Sequence, residues 1–268
     1  MKKLVLALTA VAAFTGSALA ADMAPAPVYT KAPPPVVAPS WTGFYIFGGA
    51  GGGVWDANTA TVIPATGACF TCGVTQKMGG DGWYGTVGAG YDWQFNKNWV
   101  AGVFGDGQFG SLKGTIEAPG FFFIPSLDGQ IKLRDSWAAG ARIGYLVAPN
   151  VLSYVNGGYS GASWSGTTMN FTFSGLPSAL GTNSFTQDGW FVGGGVENNL
   201  DIFGINLPGL FMKTEYRAAY YDTTNIPLVF RATGTPTPAA IAFNPLVQTI
   251  STSLVYRFNW GGPVVAKY

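Results

Sequence analysis

Lys213, Glu215 and Arg217 alternate with Met212, Thr214 and Tyr216. Successive side chains of a strand point to opposite faces, so this stretch places both signs of charge on one face. The same reading along the rest of the chain sets Asp92, Asp106, Arg134, Arg142, Glu197 and Arg257 opposite an apolar face. Four acids and five bases directed into one interior predict an ion-pair network, because an isolated charge in a partly dry space is costly. The competing use of such a face is an ion pathway; the structural network is the preferred reading.

Other residues capable of chemistry carry less. Cys69 and Cys72, in ACFTC, are the two cysteines of the chain. In an exported protein they are expected to pair as a local disulfide. Redox chemistry or metal binding is the lesser reading, since no βαβ pattern accompanies the CxxC and there is no histidine. The run GGAGGG at 48–53 lacks the Lys-Ser/Thr ending of a phosphate loop and leads into Val54-Trp55 rather than a helix. Zero histidines remove the commonest general base and metal ligand, and no serine sits in a nucleophile elbow. The expectation is therefore no enzyme, no cofactor and no metal.

The elements that must position these charges are legible in GWYGTVGAGYDWQF, Gly82 to Phe95. Its odd positions read Val87, Ala89, Tyr91, Trp93 and Phe95, and its even positions Tyr84, Thr86, Gly88, Gly90, Asp92 and Gln94. Similar segments predict strands over 41–56, 82–95, 99–115, 132–149, 151–168, 189–201, 210–223 and 247–260. Only at 41–56 and 151–168 is the alternation unclear. Long linkers around 57–81, 116–131, 169–188 and 224–246 alternate strictly with short ones. That rhythm predicts an all-β fold: a closed antiparallel eight-stranded up-and-down transmembrane β-barrel with four long outer loops. Closure matters because a sheet edge in hydrocarbon would leave backbone groups unpaired.

The aromatic residues give a second test, since barrel strands carry girdles at both interfaces. Tyr45, Trp93, Phe95, Trp99, Tyr145, Tyr154, Phe211, Tyr256 and Phe258 are expected at the periplasmic level. Trp55, Trp83, Phe109, Trp137, Trp164, Trp190 and Tyr220 are expected at the outer level. The ends agree with export. Lys2 and Lys3, an apolar run from Leu4 to Phe14 and Ala18-Leu19-Ala20 read as a cleaved leader over 1–20. Residues 21–40 are a proline-rich periplasmic spacer, 41–260 the barrel and 261–268 a C-terminal tail. The formal charge of +1 falls to −1 when the leader takes both lysines, which argues against nucleic acid as a partner.

Taken together, WTGFYIFGGAGGG at 41–53, GWYGTVGAGYDWQF, ARIGYLVAPNVLSYVNGGYS and the closing TSLVYRFNWGGPVVAKY resemble the outer-membrane β-barrel proteins of alphaproteobacteria. These are small porin-like surface antigens, some described as heme-binding. The resemblance implies an outer-membrane location among lipid and lipopolysaccharide. The last strand also resembles the signal read by barrel-assembly machinery, carried here by Thr252, Ser253, Tyr256 and Phe258, with Ser253 in the place of a glycine and Tyr268 as a rival terminal aromatic. Two functions follow. One is a structural, porin-like barrel with a narrow, side-chain-filled lumen; the other is a surface module whose long loops hold heme or a host or phage partner. Heme would need Tyr or Met as axial ligand, and Phe121, Phe122 and Phe123 are a candidate loop platform.

Overall fold

The period of two is carried by eight long strands. A computed structural model describes residues 40–72, 76–120, 125–205 and 207–258, all within the unit Ala38–Tyr268. The leader, the spacer up to residue 39, Phe121 to Phe123 and the tail lie outside the described residues.

The wall is built from β1 (Gly43–Ile63), β3 (Gln76–Gln94), β4 (Trp99–Ala118), β5 (Leu127–Ala148), β6 (Val151–Trp164), β9 (Phe185–Asn199), β10 (Leu210–Tyr221) and β12 (Pro236–Arg257). Each pairs antiparallel with the next, and β12 returns to β1 over Tyr45↔Arg257 through Val62↔Ala240. Eight strands therefore close on themselves. At one end the connections are short: 95–98, Pro149-Asn150, and 200–209, which opens on the 3-10 turn Leu200–Phe203, capped where Asn199 Oδ1 accepts the Asp201 N–H at 2.8 Å.

At the other end the connections are longer, but they are not the irregular loops the linker composition suggests. β1, β4, β5 and β12 run on past the expected strand ends, and four short strands join them: β2 (Ala68–Cys69), β7 (Thr167–Phe171), β8 (Pro177–Thr182) and β11 (Thr224–Phe230). β12 pairs with β11, β11 with β8, β8 with β7, and β7 with β5. β7, β8 and β11 thus replace β6, β9 and β10 in the outer part of the wall. Pro236 and Pro238 fall at the start of β12, beside its irregular pairing with β11, and Pro245 falls between the residues of β12 that pair with β11 (up to Phe243) and those that pair with β10 (from Leu246).

Between two aromatic levels the outward face is apolar. Ile46, Val87, Val103, Ile143, Val155, Val192, Ile250 and Leu254 are all exposed there. Phe44, Tyr91, Trp93, Phe95, Trp99, Tyr145, Tyr256 and Phe258 form the girdle at the short-turn end; Trp83, Phe109, Trp137, Tyr159, Trp190 and Tyr220 form the other. A band of exposed aliphatic side chains bounded by aromatics fits a hydrocarbon slab.

Five aromatics expected in the girdles are instead buried inside. Tyr45, Tyr154 and Phe211 line the lumen near the short turns, and Trp55 and Trp164 close it near the outer end. Residue type did not separate these sites, because an indole or phenol suits both an interface and a packed lumen. The inward phase of β1 is odd-numbered from Tyr45 through Gly49, Gly51 and Gly53 to Trp55, and the glycines hide it in the sequence.

Val87 is 56% exposed, midway between Trp83 and Tyr91. Val87→Arg should cost about 2–4 kcal/mol in a urea titration in micelles. Ala65→Arg, in the exposed turn between β1 and β2, should change stability by less than about 0.5 kcal/mol. Equal losses would mean that Val87 does not face hydrocarbon.

Candidate functional site: the lumen and its outer closure

Strand parity brings eight ionised side chains into the lumen in two groups. Nearest the short turns, Asp92 of β3, Arg142 of β5, Glu197 of β9 and Arg257 of β12 form a closed ring, all buried. Arg142 donates to both oxygens of Asp92 (Nε–Oδ1 2.9 Å, Nη2–Oδ2 2.5 Å) and from Nη1 to Glu197 Oε2 at 3.1 Å. Arg257 donates from Nε to Glu197 Oε1 and from Nη2 to Asp92 Oδ2, each at 2.7 Å. Each arginine therefore holds both acids. The planar fork of the guanidinium suits this double duty, which a lysine could not copy.

Aromatic rings sandwich the ring of charges. Arg142 lies over Tyr45 at 4.5 Å and Tyr154 at 5.0 Å, while Arg257 lies over Trp41 at 4.4 Å. Trp41 directly follows the proline-rich segment and was not singled out from sequence. Its side chain corks the short-turn end: Nε1 donates to Pro149 O at 3.2 Å, and its carbonyl accepts from Arg257 Nη1 at 3.3 Å. The odd inward phase of β1 extends back through Tyr45 to Trp41, and the glycine run that hides this phase in the sequence hid Trp41 with it.

The second group lies closer to the middle of the barrel. Arg217 of β10 grips Asp106 of β4 bidentately, at 3.0 and 2.7 Å, and also donates from Nη2 to Glu215 Oε1 at 2.8 Å. The other Glu215 oxygen accepts from Tyr154 Oη at 2.8 Å and sits 3.6 Å from Lys213 Nζ. Lys213 Nζ in turn lies 3.4 Å from the Phe47 ring centre. The lumen thus holds Asp92, Asp106, Glu197 and Glu215 against Arg142, Lys213, Arg217 and Arg257.

Arg134 is not among them. It is exposed and sits 3.7 Å from half-buried Asp135. The pairing of β5 with β6 shifts register between Leu133 and Asp135, and this irregularity swaps the two faces. Leu133 and residues before it point inward at odd numbers, whereas Ala138 and Arg142 point inward at even ones. The correction leaves the lumen charges balanced, four against four.

Above the charges the lumen becomes apolar. Trp55, Trp164, Phe185 and Phe243 pack ring to ring, with Trp55–Trp164 centres 5.4 Å and Trp164–Phe243 centres 5.2 Å apart. Ile116, Ile131, Met169, Ile226 and Ile241 continue this packing into the outer wall and are almost fully buried.

Cys69 and Cys72 are joined in a disulfide with Cα atoms 5.6 Å apart, at the tip of the connection that carries β2. The ring closes few residues, so it restricts the unfolded chain least. Cys69→Ser/Cys72→Ser should fold and insert like the parent, with a loss below about 2 kcal/mol. Absence of heat-modifiable migration on gels for that variant would contradict this. In the last strand, Ser253 points inward and is buried, Thr252 faces outward, and Tyr256 and Phe258 meet edge to face at 5.1 Å on the outer surface.

Comparison with known proteins agrees with this geometry. A family model described as the outer membrane protein beta-barrel domain matches residues 6–258. The 31 kDa outer-membrane immunogenic proteins of Brucella melitensis and Brucella suis are each 31% identical over 202 residues, covering 74% of this chain and 80% of theirs. Among solved structures, the outer membrane protein OprG from Pseudomonas aeruginosa is 12% identical, with 81% of this chain and 97% of that one covered and a TM-score of 0.47. Neisserial surface protein A is 15% identical, with 81% and 98% covered and a TM-score of 0.36. The matched model spans nearly all of the chain, and closed strands, girdles and relatives agree: this protein belongs to the outer-membrane β-barrel domain family and resides in the outer membrane.

Proposed function

We propose that the protein is a structural, surface-presenting barrel whose lumen is filled rather than conducting. The observation that carries this reading is the ring of Arg142, Arg257, Asp92 and Glu197, which ties together four strands across the interior and leaves each charge paired. Eight strands enclose an interior that side chains can fill, and the aromatic layer of Trp55, Trp164 and Phe243 adds a second closure. The reading assigns no catalytic step, because the buried carboxylates already serve as acceptors for arginines and tyrosine. Its partners are outer-membrane lipid and lipopolysaccharide around the wall, and the barrel-assembly machinery through Thr252, Ser253, Tyr256 and Phe258.

Liposomes carrying the refolded chain should swell in isotonic sugar no faster than empty ones, and planar-bilayer conductance should stay far below that of a general porin. Sugar uptake at porin-like rates would replace the filled lumen with a diffusion channel.

A further inference from the structure

The outer tip of the barrel holds a cup of about 330 Å³ between the ends of β1, β4, β5, β8, β11 and β12. Its wall is made chiefly by Ile63, Phe70, Leu127, Leu180, Leu228 and Phe230. It is set apart from the lipid. Ala239, on its rim, stands seven residues from Leu246, the partner of Tyr220, which is roughly 24 Å along β12 at ~3.4 Å per residue and on the order of 17–20 Å along the membrane normal for a strand tilted by about 35–45°. Acyl tails of the outer leaflet do not reach that far. The floor is closed, because Ile241 pairs with Thr61 on one side and Ile226 on the other, and both isoleucines are buried.

The polar side chains among the described lining residues, Thr61 and Thr237, are already used. Thr61 Oγ1 donates to Pro119 O at 2.9 Å, and Thr237 Oγ1 donates to Ala239 O at 3.2 Å. No charged side chain is among the described lining residues. One wall is pinned as well: Phe70 lies inside the short Cys69–Cys72 ring, and Thr71 Oγ1 accepts from Thr61 N at 2.9 Å. A fixed apolar concavity at a water-facing tip is unfavourable unless something apolar occupies it.

We infer that this cup is a binding site for a small, uncharged, apolar molecule taken from the external medium, such as a hydrocarbon without hydrogen-bonding groups. A ligand carrying a carboxylate would bury it without a cation, at a cost nothing in the described wall offsets. The same argument sets the site apart from one built for an anionic macrocycle. The cup is a dead end below, so the molecule is held there and does not pass through. This inference does not depend on whether the lumen conducts.

The test uses the full chain in lipid nanodiscs with labelled Leu, Val and Ile methyl groups, titrated with naphthalene and with 2-naphthoate, its anionic counterpart of similar shape. Naphthalene should shift the Leu127, Leu180 and Leu228 methyl resonances saturably. Val87 and Val155, on the lipid face, should only drift without saturating as the probe dissolves in the bilayer. The affinity for 2-naphthoate should be lower by at least about tenfold. Leu228→Asp should abolish saturable binding. Ala239→Trp fills the cup with apolar volume and should also weaken naphthalene at least about tenfold, since overfilling a packed site excludes the guest; this variant decides the matter if Leu228→Asp does not give a heat-modifiable barrel. Cup resonances that fail to saturate, equal affinity for the anion, or parent-like binding by Ala239→Trp would each overturn the proposal.

Discussion

Arg142→Met should lower the unfolding free energy of the barrel by about 3–5 kcal/mol, the usual penalty for removing one partner of a buried ion pair. The substitution leaves Asp92 and Glu197, both fully buried, sharing Arg257 alone, and the lumen acquires an unmatched negative charge. The cost arises from the carboxylates left behind, so it should shrink when one of them is neutralised too. In Arg142→Met/Glu197→Gln the charge balance is restored, and the loss should fall short of the sum of the two single losses by about 0.5–3 kcal/mol. Urea titration in micelles, read by heat-modifiable migration and tryptophan fluorescence, gives all the values needed for the cycle. Strict additivity would mean that Arg142 and Glu197 do not interact, despite their 3.1 Å separation. Arg142→Lys should not rescue, because one ammonium cannot reproduce three directed bonds.

The second large effect is expected at the seam where the barrel closes. Gly49→Val should abolish most of the heat-modifiable species, whereas Gly48→Ala one residue away should be close to neutral. Gly49 points inward opposite Ser253, where a Cβ would strike the Thr252 carbonyl oxygen and come within 2.5 Å of Ser253 Cα. Those are backbone atoms of the partner strand and have no rotamer to yield. The strands would have to separate, at about 0.5–1.5 kcal/mol for each weakened hydrogen bond. Gly51 is placed in the same way against Ile250 O and Ser251 Cα. Gly48 faces outward, and a Cβ there would come no closer than 3.8 Å to Thr86 O. A parent-like folded fraction for Gly49→Val, or equal losses at both positions, would show that the glycine run serves something other than closure of β1 on β12.

The fate of the GGAGGG run shows how far local pattern reaches. Its composition excludes a phosphate loop, but its phase cannot be read because glycine has no side chain to mark a face. Phase was therefore lost in β1, and with it the inward positions of Trp41, Tyr45 and Trp55. In β5 the phase is readable on both sides of Arg134 and changes between them. An irregular pairing next to Asp135 causes the change, and pairing is a property of two strands. The outer connections mislead for another reason: Pro, Gly and Thr mark turns on average, yet β11 and the first half of β12 pair as a hairpin that is flanked by β8 and β1, both distant in the chain.

By itself, the sequence determined the class of the molecule. Alternation over six of eight segments, separated by short and long linkers, requires strands with two environments, an even number of them closes without an edge, and charges confined to one face must point away from lipid. These are consequences of side-chain period and solvent, and they need no knowledge of who pairs with whom. Only the tertiary structure decided which charges meet, that Arg134 stays outside, and that aromatic and aliphatic side chains close the outer end. Asp92 and Arg142 are 50 residues apart, Asp106 and Arg217 are 111, and Asp92 and Arg257 are 165. Such pairs are selected by strand register and barrel closure, which bring distant positions to one level of the lumen, and parity along a single strand carries no information about level.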